Sequence, residues 1–247
     1  MQLSRPVLIV FDLDGTLVDS APDLAYCADA MLERMGRAPA GVDRIRGWIG
    51  NGVAMLVKRA LTFEMWPLGE PEGFAEALPM FMALYAENVC ERSRLFPGVL
   101  GGIKALKADD YKLACVTNKH SDFTLPLLEK LGVAQLLDYI GCGNQFAKHK
   151  PHPEPLLKTA ERFGVTPAQC LMVGDSENDV EAARAAGFTI VCVPYGYRRC
   201  EKVTDLHADA LIESIADLPA VLRADALQAT QADPLSERWR YKSIEKA

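Results

Sequence analysis

Asp12-Leu13-Asp14-Gly15-Thr16 places two carboxylates two residues apart, beside a glycine that permits a sharp turn, so both acids can be aimed at one point. Alone, such a stretch reads equally well as an acidic turn. Three further segments carry reactive residues. Thr117-Asn118 offers a hydroxyl and a backbone N–H to an anion, although a Thr in this place also serves as a helix N-cap. In Gly174-Asp175-Ser176-Glu177-Asn178-Asp179, Asp175 and Asp179 stand four apart, on one side of a helix begun by Asp175 or flanking its first turn. Favourable placement of acid at a helix N-terminus explains one of these carboxylates, less readily Asp175, Glu177 and Asp179 together. Lys150, in His149-Lys150-Pro151-His152-Pro153, is a turn lysine on the plainer reading and a fixed cation for a phosphate on the chemical one. Carboxylates gathered with few basic partners need a cation, and an all-oxygen donor set suits Mg²⁺.

The elements that must position these groups are legible in the hydrophobic pattern. Residues 7–11 form a short apolar run rich in β-branched side chains, which predicts a fully buried strand. The same signature recurs at 113–116, 171–173 and 189–193, and more weakly at 139–140. Helical stretches at 123–131, 154–163 and 177–186 lie between them, ending at Gly132, Gly164 and Gly187 respectively. Strands alternating with helices predict an α/β fold, a doubly wound, Rossmann-like parallel sheet. Ligands of such sheets bind beyond the carboxyl ends of the strands. Each reactive segment follows a predicted strand, so topology brings them together, and separate plain explanations would have to coincide.

From about residue 21 to 94 the alternation stops. Leu24, Cys27, Ala28, Met31, Leu32 and Met35 recur at helical spacing and no strand is evident, which predicts an all-helical insert. The expected linkers are 18–22 on entry and Leu95-Phe96-Pro97-Gly98 on return. The expected division is a core of residues 1–18 and 95–225, an insert of 19–94, and a polar tail of 226–247 with Trp239 and Tyr241 as its anchors, either a docked helix or frayed.

Of the 247 residues, 49% are hydrophobic and 24% charged, enough for a sizeable core, and the formal net charge is −6. That balance argues against a general nucleic-acid or membrane-surface binder. Seven scattered cysteines without a C-x-x-C pair fit reduced thiols, and the charges at Asp12 and Asp14 break the N-terminal apolar run that a signal peptide would need. A cytoplasmic protein is expected, as a monomer or homodimer.

The four segments, Asp12-x-Asp14-Gly15-Thr16, Thr117-Asn118, Lys150-Pro151 and Gly174-Asp175-(x)₃-Asp179, resemble in order and spacing the motifs of the haloacid dehalogenase-like hydrolases, over roughly residues 5 to 225. The insert then resembles that family's small helical cap. Within the family the chain is most similar to bacterial phosphoglycolate phosphatases, through residues 11–20, Trp48-Ile49-Gly50-Asn51-Gly52 and Tyr195-Gly196-Tyr197. It departs from them at Gly141-Cys142-Gly143-Asn144 and at Arg198. The resemblance implies a Mg²⁺-dependent phosphatase of small phosphorylated metabolites, 2-phosphoglycolate above all. It makes Asp12 the nucleophile and Asp14 the acid and base, with Thr117, Asn118 and Lys150 on the phosphate. It assigns the metal to the Asp12 and Asp175 carboxylates and the Asp14 backbone carbonyl, and Asp179 to the metal's waters, the lysine or the metal itself. Relatives that dehalogenate carbon keep no acid at the position of Asp14. A sugar-phosphate or nucleotide phosphatase, a phosphoglucomutase, or a non-catalytic binding protein on the same fold are the alternatives. A carboxylate on the leaving group would need a cation, and the insert offers Arg44, Arg46, Lys58 and Arg59.

Overall fold

The computed structural model describes residues 5–197, 200 and 202–231. Strand β1 (Leu8–Phe11) is buried along its whole length, as a strand covered on both faces must be. The chain turns at Gly15, forms β2 (Val18–Asp19) and enters four helices: α1 (Ala21–Arg34), α2 (Val42–Trp48), α3 (Val53–Thr62) and α4 (Phe74–Asn88). It returns through β3 (Arg94–Leu95) and α5 (Val99–Ala108) to β4 (Lys112–Val116), α6 (Ser121–Lys130), β5 (Tyr139–Gly141) and α7 (Glu154–Phe163). The remainder is β6 (Cys170–Gly174), α8 (Glu177–Ala186), β7 (Thr189–Cys192), β8 (Ala210–Leu211) and α9 (Leu218–Gln231).

Six strands form one parallel sheet in the order β5-β4-β1-β6-β7-β8. All five strands expected from the sequence are present. The sixth, β8, was not anticipated, because two residues are too few to show a period. Side chains alternate between the two faces. Ile9, Phe11, Leu113, Cys115, Leu171 and Val173 pack on one side with α5, α6 and α9. Leu8, Val10, Ala114, Val116, Cys170 and Met172 pack on the other with α7 and α8. Gly164 and Gly187 take left-handed φ and end α7 and α8 as expected; α6 caps at Leu131, and Gly132 directly after it also takes left-handed φ. In the C-terminal segment, residues up to 231 continue α9, and Trp239 and Tyr241 lie outside the described residues. Among the described residues no helix is long and apolar enough to cross a membrane.

The chain leaves β1 toward β4 on one side and later crosses to β6 on the other, so the order reverses at β1. Loops on either side of such a reversal part and leave a crevice at the carboxyl ends of the strands. This is the one place where β1, β4 and β6 can all deliver side chains to a common point.

Helices α1 to α4 are joined to the sheet by two chain passages, and these pair with each other. Val18 lies opposite Leu95 and Asp19 opposite Arg94 in an antiparallel two-stranded ribbon. Asp23, fully buried in the first turn of α1, fastens the return passage: its carboxylate accepts from the Arg92 and Ser93 amides at 2.8 and 2.9 Å and from the Ser93 hydroxyl, with the Arg92 guanidinium 3.5 Å away. Removing this acceptor strands several donors where water has little access. We expect Asp23→Ala to lower unfolding free energy by about 3 kcal/mol, read as a fall in the urea midpoint. A midpoint within error of the parent would show that the ribbon alone holds the passages together.

Candidate active site

Asp12 follows β1 directly, and its amide donates to the Val173 carbonyl at 2.9 Å, so the β1–β6 ladder fixes the backbone that carries it. Thr117 is held likewise on the other side, its amide donating to the Gly141 carbonyl at 3.0 Å. Asp175 follows β6, and Asp179 lies in the first turn of α8, fully buried. Carboxylate oxygens of Asp12, Asp175 and Asp179 lie within 4.8 Å of one another, although Asp12 is remote in the chain from the other two.

Lys150 enters this group from the loop after β5. Its ammonium, with a side chain only 2% exposed, donates to Asp12 Oδ1 and Asp179 Oδ1, each at 2.7 Å. Asn118 holds the lysine backbone: its side-chain amide donates to the Lys150 carbonyl at 2.8 Å and accepts from the Lys150 amide at 2.9 Å. The second oxygen of Asp179 accepts from the Asp175 and Ser176 amides and from the Ser176 hydroxyl at 2.7 Å. Both oxygens of Asp179 are therefore engaged by protein donors. Asp175 accepts from the Thr16 hydroxyl and the Tyr197 amide, both at 2.6 Å. Gly15, with φ of 95°, passes so close that a Cβ on it would overlap the Asp175 carboxylate; only glycine satisfies both the turn and the approach.

Burial pushes the Asp12 carboxyl up to about 7; Lys150 pulls against it, while Asp179 and Asp14 add to the rise. Burial likewise lifts Asp175 well above the usual carboxylate range, reinforced by Asp179 and Asp12 and opposed by the Thr16 and Tyr197 hydrogen bonds. For Lys150 burial acts to discharge the ammonium, but Asp12 and Asp179 outweigh it and raise its pKa above the ordinary value. Three buried carboxylates thus stand together with one lysine, which contacts two of them, and the group is short of positive charge. A hard divalent cation fits this donor set, which is entirely oxygen.

The side chain of Asp14 lies apart from that trio. Both of its oxygens face the Lys119 ammonium, at 3.0 and 3.1 Å, and Oδ1 also accepts from the Ser20 hydroxyl at 2.6 Å. Lys119 and Ser20 were not foreseen: a lysine two residues after a Thr, and a serine before a helix, carry no distinguishing signal of their own. Thr117 Oγ1 accepts from the Lys119 amide at 3.1 Å. The insert reaches the same region. Ile49 and Gly50 line the cleft, and the Gly50 carbonyl accepts from the side-chain amides of Asn118 at 2.9 Å and Asn178 at 3.2 Å.

The departure at residues 141–144 also acquires a place. The Gly143 amide donates to the Lys119 carbonyl at 2.9 Å, and Asn144 Oδ1 accepts from the Ser121 amide at 2.9 Å, so this segment buttresses the loop after β4. Arg198 lies outside the described residues. The resulting cleft, about 370 Å³ with its open mouth, brings together Asp12, Asp14, Thr117, Asn118, Lys150, Asp175 and Asp179. All seven residues singled out from the sequence line it.

Residues 9–193 match the model of the haloacid dehalogenase-like hydrolases. A phosphoglycolate phosphatase of Nitrosococcus oceani is 46% identical over 89% of this chain and 98% of its own. One from Thiobacillus denitrificans is 47% identical over 85% of this chain and 92% of its own. Among solved structures, that of a predicted phosphoglycolate phosphatase from Haemophilus somnus superposes with a TM-score of 0.82 at 36% identity, covering 89% of this chain and 99% of that one. Fold, site and sequence agree, and the chain belongs to the haloacid dehalogenase-like hydrolase family.

Proposed function

We propose that this hydrolase is a Mg²⁺-dependent phosphatase that cleaves 2-phosphoglycolate to glycolate and phosphate through an aspartyl-phosphate on Asp12. The observation that carries the reading is the trio of buried carboxylates at the switch point with Lys150 bridging two of them. Asp12 and Asp175, with the Asp14 backbone carbonyl, are the groups that would hold the metal, which when bound offsets charge on the phosphoryl oxygens. Asp179, its oxygens taken by Lys150, Ser176 and two amides, acts as the group that orients the lysine and the loop.

Asp12 Oδ1 is tied to Lys150, while Oδ2 takes no hydrogen bond among the described residues. Oδ2 attacks phosphorus in line; an O–P bond forms to Asp12 as the ester O–P bond breaks. Asp14 gives its proton to the departing alkoxide, then takes one from the water that attacks the phosphoaspartate, and the Asp12–phosphorus bond breaks in turn. Thr117 and the Asn118 amide position the phosphoryl oxygens, and Lys150 supplies fixed positive charge beside them. Residues 19–94 act as a cap over this chemistry; their direct contact through Gly50 supports that role. The names carried by the Nitrosococcus and Thiobacillus relatives support the substrate.

Asp12→Asn should reduce kcat at least about 10⁴-fold while circular dichroism and thermal unfolding stay close to the parent. Undiminished phosphate release by that variant refutes the nucleophile assignment. Chelation should silence the wild-type enzyme, and added Mg²⁺ should restore it. In a panel of phosphorylated metabolites, kcat/KM should be highest for 2-phosphoglycolate; a flat profile, or one led by sugar phosphates, defeats the substrate assignment.

A further inference from the structure

If the leaving group carries a carboxylate, some cation must meet it. The four insert cations singled out from the sequence, Arg44, Arg46, Lys58 and Arg59, are engaged elsewhere. Arg59 is fully buried and donates to the Met65 and Trp48 carbonyls and to Asn51 Oδ1. Lys58 donates to the Gly69 carbonyl at 2.8 Å and lies over the Phe74 ring. Arg44 lies over Phe63, and Arg46 lies over Tyr197, 3.7 Å from Asp19. None of the four lines the cleft. Among the described residues that do, two are cationic, Lys150 and Lys119. Lys150 stands between Asp12 and Asp179 at the phosphate end.

Lys119 stands at the other end. Its side chain is 3% exposed, its ammonium is beside Asp14, and the Tyr85 ring lies under it at 4.8 Å. The buried Tyr85 hydroxyl stands next to it and, after Asp14, favours the charged ammonium. An ammonium has three donors, and the Asp14 carboxylate uses two. Since Asp14 serves the departing ester oxygen in the reading above, a cation paired with Asp14 in the cleft stands beside the place where the remainder of the leaving group must lie. In 2-phosphoglycolate the carboxylate is one carbon beyond the ester-bearing carbon.

We propose that Lys119 is the specificity-determining cation of this site: it binds a carboxylate on the leaving group while holding Asp14, and so sets the ester oxygen against its proton donor. The proposal rests on the phosphatase reading above and names the residue that selects anionic leaving groups. It also explains why a lysine belongs to the sheet side of the cleft. The loop after β4 fixes this cation beside Asp14, and the Tyr85 ring of α4 packs under it.

The test compares 2-phosphoglycolate with ethyl phosphate, whose leaving group is similar in size and uncharged, on wild type, Lys119→Met and Lys119→Arg. The ratio of kcat/KM for the two substrates should fall roughly 10- to 100-fold in Lys119→Met, chiefly through KM for phosphoglycolate, and recover in part in Lys119→Arg. Equal losses on both substrates, leaving the ratio unmoved, would mean that Lys119 acts on Asp14 alone, and would overturn the proposal. A second measurement needs no variant. On the wild type, 3-phosphonopropionate should inhibit at least about tenfold more tightly than propylphosphonate. Equal inhibition by the two also overturns it. A wild type that releases phosphate from neither ester, with Mg²⁺ present, defeats the phosphatase reading; normal release with an unmoved ratio defeats only the role of Lys119.

Discussion

Like charges held close together in a buried place are the constraint to which the rest of this structure answers. Asp12, Asp175 and Asp179 repel one another, and burial deepens the repulsion by removing the water that would screen it. The fold resists it by anchoring Asp12 to the β1–β6 ladder and Asp179 in the first turn of α8, and by supplying donors: Lys150 to two carboxylates, Thr16 and Tyr197 to the third, Ser176 and two amides to Asp179. Hydrogen-bond donors alone do not balance the charge. The deficit is what suits the cluster to a divalent cation and a phosphoryl group.

The two lysines divide the cleft. Lys150 faces Asp12 and Asp179, and Lys119 faces Asp14. Each is nearly removed from water, where burial would discharge an isolated ammonium, and each is kept charged by its acidic neighbours. An ion pair so placed is weak evidence of stability, because the desolvation of both charges offsets much of their attraction. Its worth is positional: neither lysine has room to wander, and the groups it touches inherit that rigidity.

The helical insert is joined to this centre mechanically as well as covalently. Its two passages pair as β2 and β3, Asp23 ties the second passage to the first helix, and the Gly50 carbonyl receives donors from two core asparagines. Asn118 is the hinge of this arrangement, since the same side chain holds the Lys150 backbone and touches Gly50. The insert and the Lys150 backbone are thereby linked through one amide group.

Local pattern determined the strands, because apolar runs with β-branched residues between turn signals have few other fates, and it determined Asp12, Asp14, Thr117, Asn118, Lys150, Asp175 and Asp179, because each follows a strand whose carboxyl end must face one edge of a parallel sheet. The two-residue strands β2, β3 and β8 left no such mark; they exist through their partners, and no period can be read from two residues. Lys119 and Ser20 were hidden for the same reason, since what distinguishes them is a neighbour remote in the chain or lying across a turn. The insert's cations illustrate the converse. As letters, Arg44, Arg46, Lys58 and Arg59 were all eligible to meet a substrate, and only packing showed them turned to carbonyls, rings and Asp19. Sequence thus decided which chemical groups are delivered to the rim of the sheet, because alternation and topology are local rules, while the tertiary structure decided which of them face one another, because distance between remote segments is fixed only when the core closes.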